Sequence, residues 1–169
     1  MARAAPGPRR PRRPETEGPP LGGHGRGAQS NASGRYEKLT REAAQDGWER
    51  EEELAPFRTD VTIETPRKII NYVDSPFVGF DRSINPIRGC EHGCVYCFAR
   101  PTHAYYGLSP GLDFETKLFA KPTAAALLQR ELSARNYTVK PIAIGTNTDP
   151  YQPAEKRLQI MRGILRTLL

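Results

Sequence analysis

The sequence predicts an α/β fold in which short strands alternate with helices, and three observations point to it. Residues 141–145 (Pro-Ile-Ala-Ile-Gly) form a short apolar run suited to a buried parallel strand. Ahead of it, residues 124–134 carry Leu127, Leu128 and Leu132 on one side of a helix that Pro122 helps to open. After it, residues 157–169 are strongly amphipathic: Leu158, Met161, Leu165 and Leu168 form one stripe, opposed by Arg157, Arg162 and Arg166.

The elements follow in chain order. Residues 1–35 hold seven Arg against two acidic residues, and 13 of these positions are Pro or Gly. So little apolar surface cannot offset the entropy of ordering, and the stretch is expected to be a disordered basic tail. Its PRRPRRP run has the charge to touch phosphate groups. Residues 36–74 are expected to lead into the main domain. A polar helix spans 36–54 with Trp48 as its one large apolar anchor, and residues 61–63 and 69–73 read as two short strands, paired as a hairpin.

The main domain is expected over residues 75–169. Residues 83–88 form its first strand and enter a cysteine loop, and a helical stretch covers 98–106. Pro110-Gly111 marks a turn, and 114–120 alternates as a further strand through Phe114, Thr116, Leu118 and Ala120. Residues 146–153 (TNTDPYQP) make a polar loop at the C-terminal end of the 141–145 strand, the end at which β/α barrels bind ligands.

Several function classes are excluded at this level. No apolar run approaches the ~18 residues of a membrane helix, and no signal-peptide core follows the N-terminal arginines. The paired arginines at 9–10 and 12–13 therefore do not read as an export signal, and the Asn31-Ala32-Ser33 sequon is a chance match. A cytoplasmic protein is expected.

The chemistry is concentrated in INPIRGCEHGCVYCFARPTH, which holds all three cysteines of the chain as Cys90-x3-Cys94-x2-Cys97. Three thiolates on one short loop make a soft-ligand claw for iron or zinc. A [4Fe–4S] cube bound by three cysteines keeps one iron free of protein ligands, open to a substrate or cofactor. Gly89 and Gly93 let the backbone wrap closely around such a group. An odd number of cysteines outside a secretory context argues against disulfides. The alternative is zinc on a Cys3His set completed by His92 or His103, in a small module whose basic tail binds nucleic acid.

The C-x3-C-x2-C spacing, with Tyr96 just before the third cysteine, resembles the signature of radical S-adenosylmethionine (radical SAM) enzymes. The words GCEHGCVYCFARPTHAYYGLSPGLDFETKLFAKP and IGTNTDPYQPAEKRL are similar to one bacterial subgroup, the DNA repair photolyase-like proteins related to spore photoproduct lyase. The resemblance covers residues 75–169.

This resemblance implies a partial (β/α) TIM-type barrel. It implies a [4Fe–4S] cluster on Cys90, Cys94 and Cys97, whose open iron takes S-adenosylmethionine and cleaves it reductively to a 5′-deoxyadenosyl radical. Tyr96 is implied to lie beside the adenine, with the backbone near Phe98 meeting its exocyclic amine. Asn147, Thr148 and Asp149 carry acceptors for the ligand's ammonium group; the family's usual Gly-Gly-Glu form of that loop is absent, and a hydrogen-bonded turn built by Asp149-Pro150 is the other reading of it. A flavodoxin- or ferredoxin-like electron donor is implied. The substrate is left open, with DNA-lesion repair suggested by analogy.

A six-unit barrel of this kind needs roughly 200 residues, fewer than a full barrel's but more than the 87 from Ser83 to Leu169. The sequence is therefore expected to carry a truncated, N-terminal portion of the barrel, and a catalytically inactive fragment is a further expectation.

Overall fold

In the computed structural model, residues 25–28, 30–37 and 58–169 are described. Six strands form two small sheets: β1 (Asp60–Ile63), β2 (Ile70–Tyr72), β3 (Arg82–Ile84), β4 (Ile87–Arg88), β5 (Lys117–Ala120) and β6 (Ala143–Ile144). One sheet has the order β1-β5-β4 and the other β2-β3-β6. The helices are α1 (Leu112–Thr116), α2 (Ala124–Leu132), α3 (Glu155–Leu158) and α4 (Ile160–Leu168), with a 3₁₀ helix over Arg100–Tyr106. The architecture is mixed α/β, and the described strands close no barrel.

Four expectations are corrected. Strands β1 and β2 form no hairpin: β1 lies parallel to β5, with Ile63 opposite Ala120, while β2 runs antiparallel to β3, with Ile70 opposite Ile84. The expected single strand at 83–88 is divided at Asn85-Pro86 into β3 and β4, which belong to different sheets. Proline has no N–H to give a ladder. Its carbonyl instead accepts from the Lys121 amide at 3.1 Å.

The third correction concerns 114–120, where residues 112–116 are the helix α1 and only β5 is extended. Local side-chain bonds favour the turn: Asp113 Oδ2 accepts from the Ser109 amide at 2.9 Å, and Thr116 Oγ1 donates back to the Leu112 carbonyl at 2.9 Å. Four alternating residues are too short a pattern to separate the two states.

The fourth is the C-terminal helix, which Gln159 breaks at a left-handed φ of 50°. The break rotates the second half, so its buried face is Ile160, Met161 and Ile164, while Leu165 and Leu168 are each 40% exposed. Gly163 lets α4 approach α2, since a Cβ there would lie 3.2 Å from Ala125 Cβ.

The main core gathers Ile69, Ile70, Ile84, Ala120, Ala124, Leu128, Ile160 and Ile164 between the sheets and the α2–α4 pair. Glu131 of α2 ties down the entering chain by accepting from the Ile69 amide at 2.6 Å. The parallel pairing of β3 with β6 follows the expectation for the 141–145 run, although β6 is half-buried rather than buried.

Part of the stretch expected as a disordered tail is placed on the body. The Leu112 amide donates to the Ser30 carbonyl at 3.2 Å, and Ser109 Oγ donates to the Ala32 carbonyl at 2.6 Å. Backbone hydrogen bonds hold it, a contribution that counting apolar residues does not register. The rest of the expected tail (1–24 and 29), and nearly all of the helix expected at 36–54 with Trp48, lie outside the described residues. Among the described residues no helix is long and apolar enough to cross a membrane.

Candidate metal centre

The cysteine loop leaves β4 and turns at two left-handed glycines, Gly89 (φ 78°) and Gly93 (φ 68°). Gly89 is needed on a second count, because a Cβ there would sit 3.0–3.1 Å from the Lys117 carbonyl, the His103 ring and the Phe114 carbonyl. Cys90 is 8% exposed and packs with Ala99, Phe114 and the half-buried Cys97. Its amide donates to the Phe114 carbonyl at 2.9 Å, which anchors the loop to α1. The Cys97 amide donates to the Cys94 carbonyl at 3.2 Å, and Cys94 itself is exposed.

Burial pushes the Cys90 thiol up, while the backbones of His92 and Asp149 pull it the other way. All three thiols are free. Among the described residues no three His, Cys, Asp or Glu side chains are already gathered to grip one ion.

The 146–153 loop buttresses the cysteine loop. Gln152, 2% exposed, accepts from the Glu91 amide and donates to the Gly89 carbonyl, so its carboxamide spans Cys90. Thr148, 4% exposed, gives its hydroxyl to the Ile87 carbonyl at 2.5 Å. Asp149 Oδ1 accepts from the Tyr151 amide at 2.8 Å, and its other oxygen lies 3.4 Å from His92 Nε2. Asn147 is held by Asn85 Oδ1, which accepts from its amide at 2.9 Å.

Beside the loop lies a pocket of about 620 Å³ whose lining includes Phe98, Thr102, Asn147, Asn85, Arg88 and Lys121. Of the residues singled out from sequence, Phe98 and Asn147 reach it; Tyr96 is 86% exposed on the loop surface. Thr148 and Asp149 face the cysteine loop's support instead. Sequence reasoning missed Lys121, which sits 3% exposed at the end of β5 with Nζ donating to the Asn85 carbonyl at 2.8 Å. Desolvation and the nearby Arg88 lower its pKa to about 8. A lysine directly after an apolar strand was the available signal.

The two histidines of the zinc alternative have other partners. His103, 1% exposed, bonds the Lys117 carbonyl through Nε2 at 2.8 Å and meets Phe114 edge-on at 5.2 Å. Burial holds its pKa down. His92 pairs with Asp149.

The donor set is one that a three-cysteine iron–sulfur cube would accept. Three thiols stand on one loop, two of them already packed together, and no fourth cysteine exists in the sequence. Gly93, in the left-handed region, stands directly before the exposed Cys94.

No protein-family model matches the chain, and no solved structure matches it. Over 89 residues, 53% of this chain, it is 48% identical to uncharacterized proteins of Mycobacterium bovis and of two strains of Mycobacterium tuberculosis. The matched stretch spans 26% of the length of each of these relatives.

Proposed function

We propose that the chain carries the cluster-binding part of a radical SAM enzyme of the subgroup related to spore photoproduct lyase. The observation that supports this reading best is the set of three free thiols on one glycine-hinged loop beside an open pocket. Cys90, Cys94 and Cys97 would each hold one iron of a [4Fe–4S] cluster. Bound together, the cluster and S-adenosylmethionine supply a one-electron cleavage that yields a 5′-deoxyadenosyl radical.

The chain's own residues bind and orient. Phe98 forms an apolar wall of the pocket beside the last cysteine. Asn147, whose Nδ2 lies 3.4 Å from Thr102 Oγ1, presents a carboxamide oxygen to a ligand ammonium group. Arg88 and Lys121 also line the pocket, and their positive charge favours an anionic ligand group there. Tyr96, exposed next to Cys97, is free to close over a bound ring system. Reduction calls for a flavodoxin- or ferredoxin-like donor in a cytoplasmic setting, and DNA-lesion repair is the substrate reading by analogy.

The test is spectroscopic. After anaerobic reconstitution and reduction, adding S-adenosylmethionine should change the electron paramagnetic resonance spectrum of the cluster. A reduced cluster whose spectrum ignores S-adenosylmethionine removes the radical SAM reading.

A further inference from the structure

We propose that residues 25–28 form a strap that positions the cysteine loop, with Arg26 as its positioning residue. The guanidinium of Arg26 joins three segments that are distant in sequence. Nη1 donates to the Glu115 carbonyl of α1 at 2.9 Å. Nη2 donates to Glu91 Oε1 of the cysteine loop at 3.0 Å and to Thr59 Oγ1, just before β1, at 3.1 Å. Thr59 also gives its hydroxyl to the same Glu91 oxygen. Glu91 stands next to Cys90 and is 9% exposed, while the Arg26 side chain is 35% exposed, so the ion pair is shielded from solvent on its acidic side.

The backbone of the strap makes the fit tight. The Gly27 amide points at both carboxylate oxygens of Glu115, at 3.1 and 3.2 Å. Glu115 is fully buried, and its other partner is Arg100 Nη2 at 2.5 Å. A Cβ on Gly27 would fall 1.7 Å from the Gly93 carbonyl oxygen, and a Cβ on Gly93 would fall 2.6 Å from Arg26 Cβ. Both glycines are therefore required by one close approach, at the hinge beside Cys94. Gly25 closes the strap into a turn through its amide, 2.7 Å from the Ala28 carbonyl, and Ala28 is buried.

The strap itself stands on this geometry; only its effect on a bound cluster rests on the radical SAM reading above. The test uses the whole 169-residue chain, reduced and free of metal, with iodoacetamide alkylation followed at each cysteine by mass spectrometry. Arg26→Ala should speed alkylation of Cys90 roughly tenfold, the scale of a lost charged hydrogen bond to a buried group. Gly27→Ala should do the same by steric displacement, and Arg26→Lys should restore part of the protection. Gly79→Ala, whose added Cβ meets nothing within 4 Å, should leave the rate unchanged.

Hydrogen exchange in β5 should stay at its wild-type rate in Arg26→Ala. In reconstituted protein the same variants should shift the resonance spectrum of the cluster. Wild-type alkylation of Cys90 in both Arg26→Ala and Gly27→Ala overturns the proposal, as does accelerated exchange in β5 that matches the alkylation change. A wild-type chain that takes up no iron, with the alkylation pattern as expected, removes the cluster reading and leaves the strap standing.

Discussion

Gln152 straddles Cys90: its Oε1 accepts from the Glu91 amide at 2.9 Å, and its Nε2 donates to the Gly89 carbonyl at 2.8 Å. A side-chain amide thus takes the place of a neighbouring strand and fixes the backbone on both sides of the first cysteine. Two loops far apart in sequence are joined at the residue whose position matters most.

Gln152→Ala leaves a buried N–H and a buried C=O without partners. Each orphaned group costs about 1–3 kcal/mol, so a loss of roughly 2–4 kcal/mol is expected in urea unfolding. Gln152→Glu still accepts from Glu91 but has no donor for Gly89, and should lose a similar amount. Variants within about 0.5 kcal/mol of wild type contradict the clamp.

Lys121 gives a pH signature. Burial first, and then Arg88, hold its folded pKa at about 8 against an ordinary value of 10.5, with Glu64 opposing. Below the folded value both states carry the proton, and the full cost of burying the charge is present. Between about 8 and 10.5 the unfolded chain binds more protons than the folded one, so stability rises with pH. Relative to Lys121→Met, wild type should gain on the order of 1–3 kcal/mol across that window. Taking the difference removes the cysteines and tyrosines, which titrate in both proteins. Parallel stability curves would show that burial does not depress the folded pKa of Lys121.

The α2–α4 contact separates two readings of the last helix. Ile164 is fully buried against the core, whereas Leu168 is 40% exposed. Ile164→Ala should cost about 2–5 kcal/mol, and Leu168→Ala less than about 1 kcal/mol. Equal costs would restore the stripe expected from helical periodicity and contradict the break at Gln159.

Much of the fold was legible from residue patterns. Helix α2 lies where Pro122 and three leucines placed it, and the apolar run at 141–145 yields a strand parallel to β3. What periodicity missed lies where single residues override it. Pro86 switches the chain between sheets, and Gln159 adopts a left-handed conformation that shifts the buried face of α4. Side-chain bonds from Asp113 and Thr116 turn the first half of a four-residue alternation into a helix.

The cysteine loop announced itself through composition, but its supports did not. Gln152, Glu115 and Arg26 act through backbone groups of distant segments, and neither spacing nor hydropathy marks such partners. The 146–153 loop was read both for acceptors toward a ligand and as a hydrogen-bonded turn built by Asp149-Pro150. Asp149 accepts from the Tyr151 amide, as the turn reading has it, Thr148 gives its hydroxyl to the Ile87 carbonyl, and Asn147 lines the pocket.

The measurement that bears most directly on the central claim is metal and sulfide content after anaerobic reconstitution. Three cysteines holding a cube should give about four irons and four acid-labile sulfides per chain. Alanine at Cys90, Cys94 or Cys97 should abolish both, because two thiolates do not retain the cube, while His92→Ala and His103→Ala should keep the wild-type ratio in folded protein. One equivalent of zinc without sulfide, lost on replacing either histidine, would contradict the account.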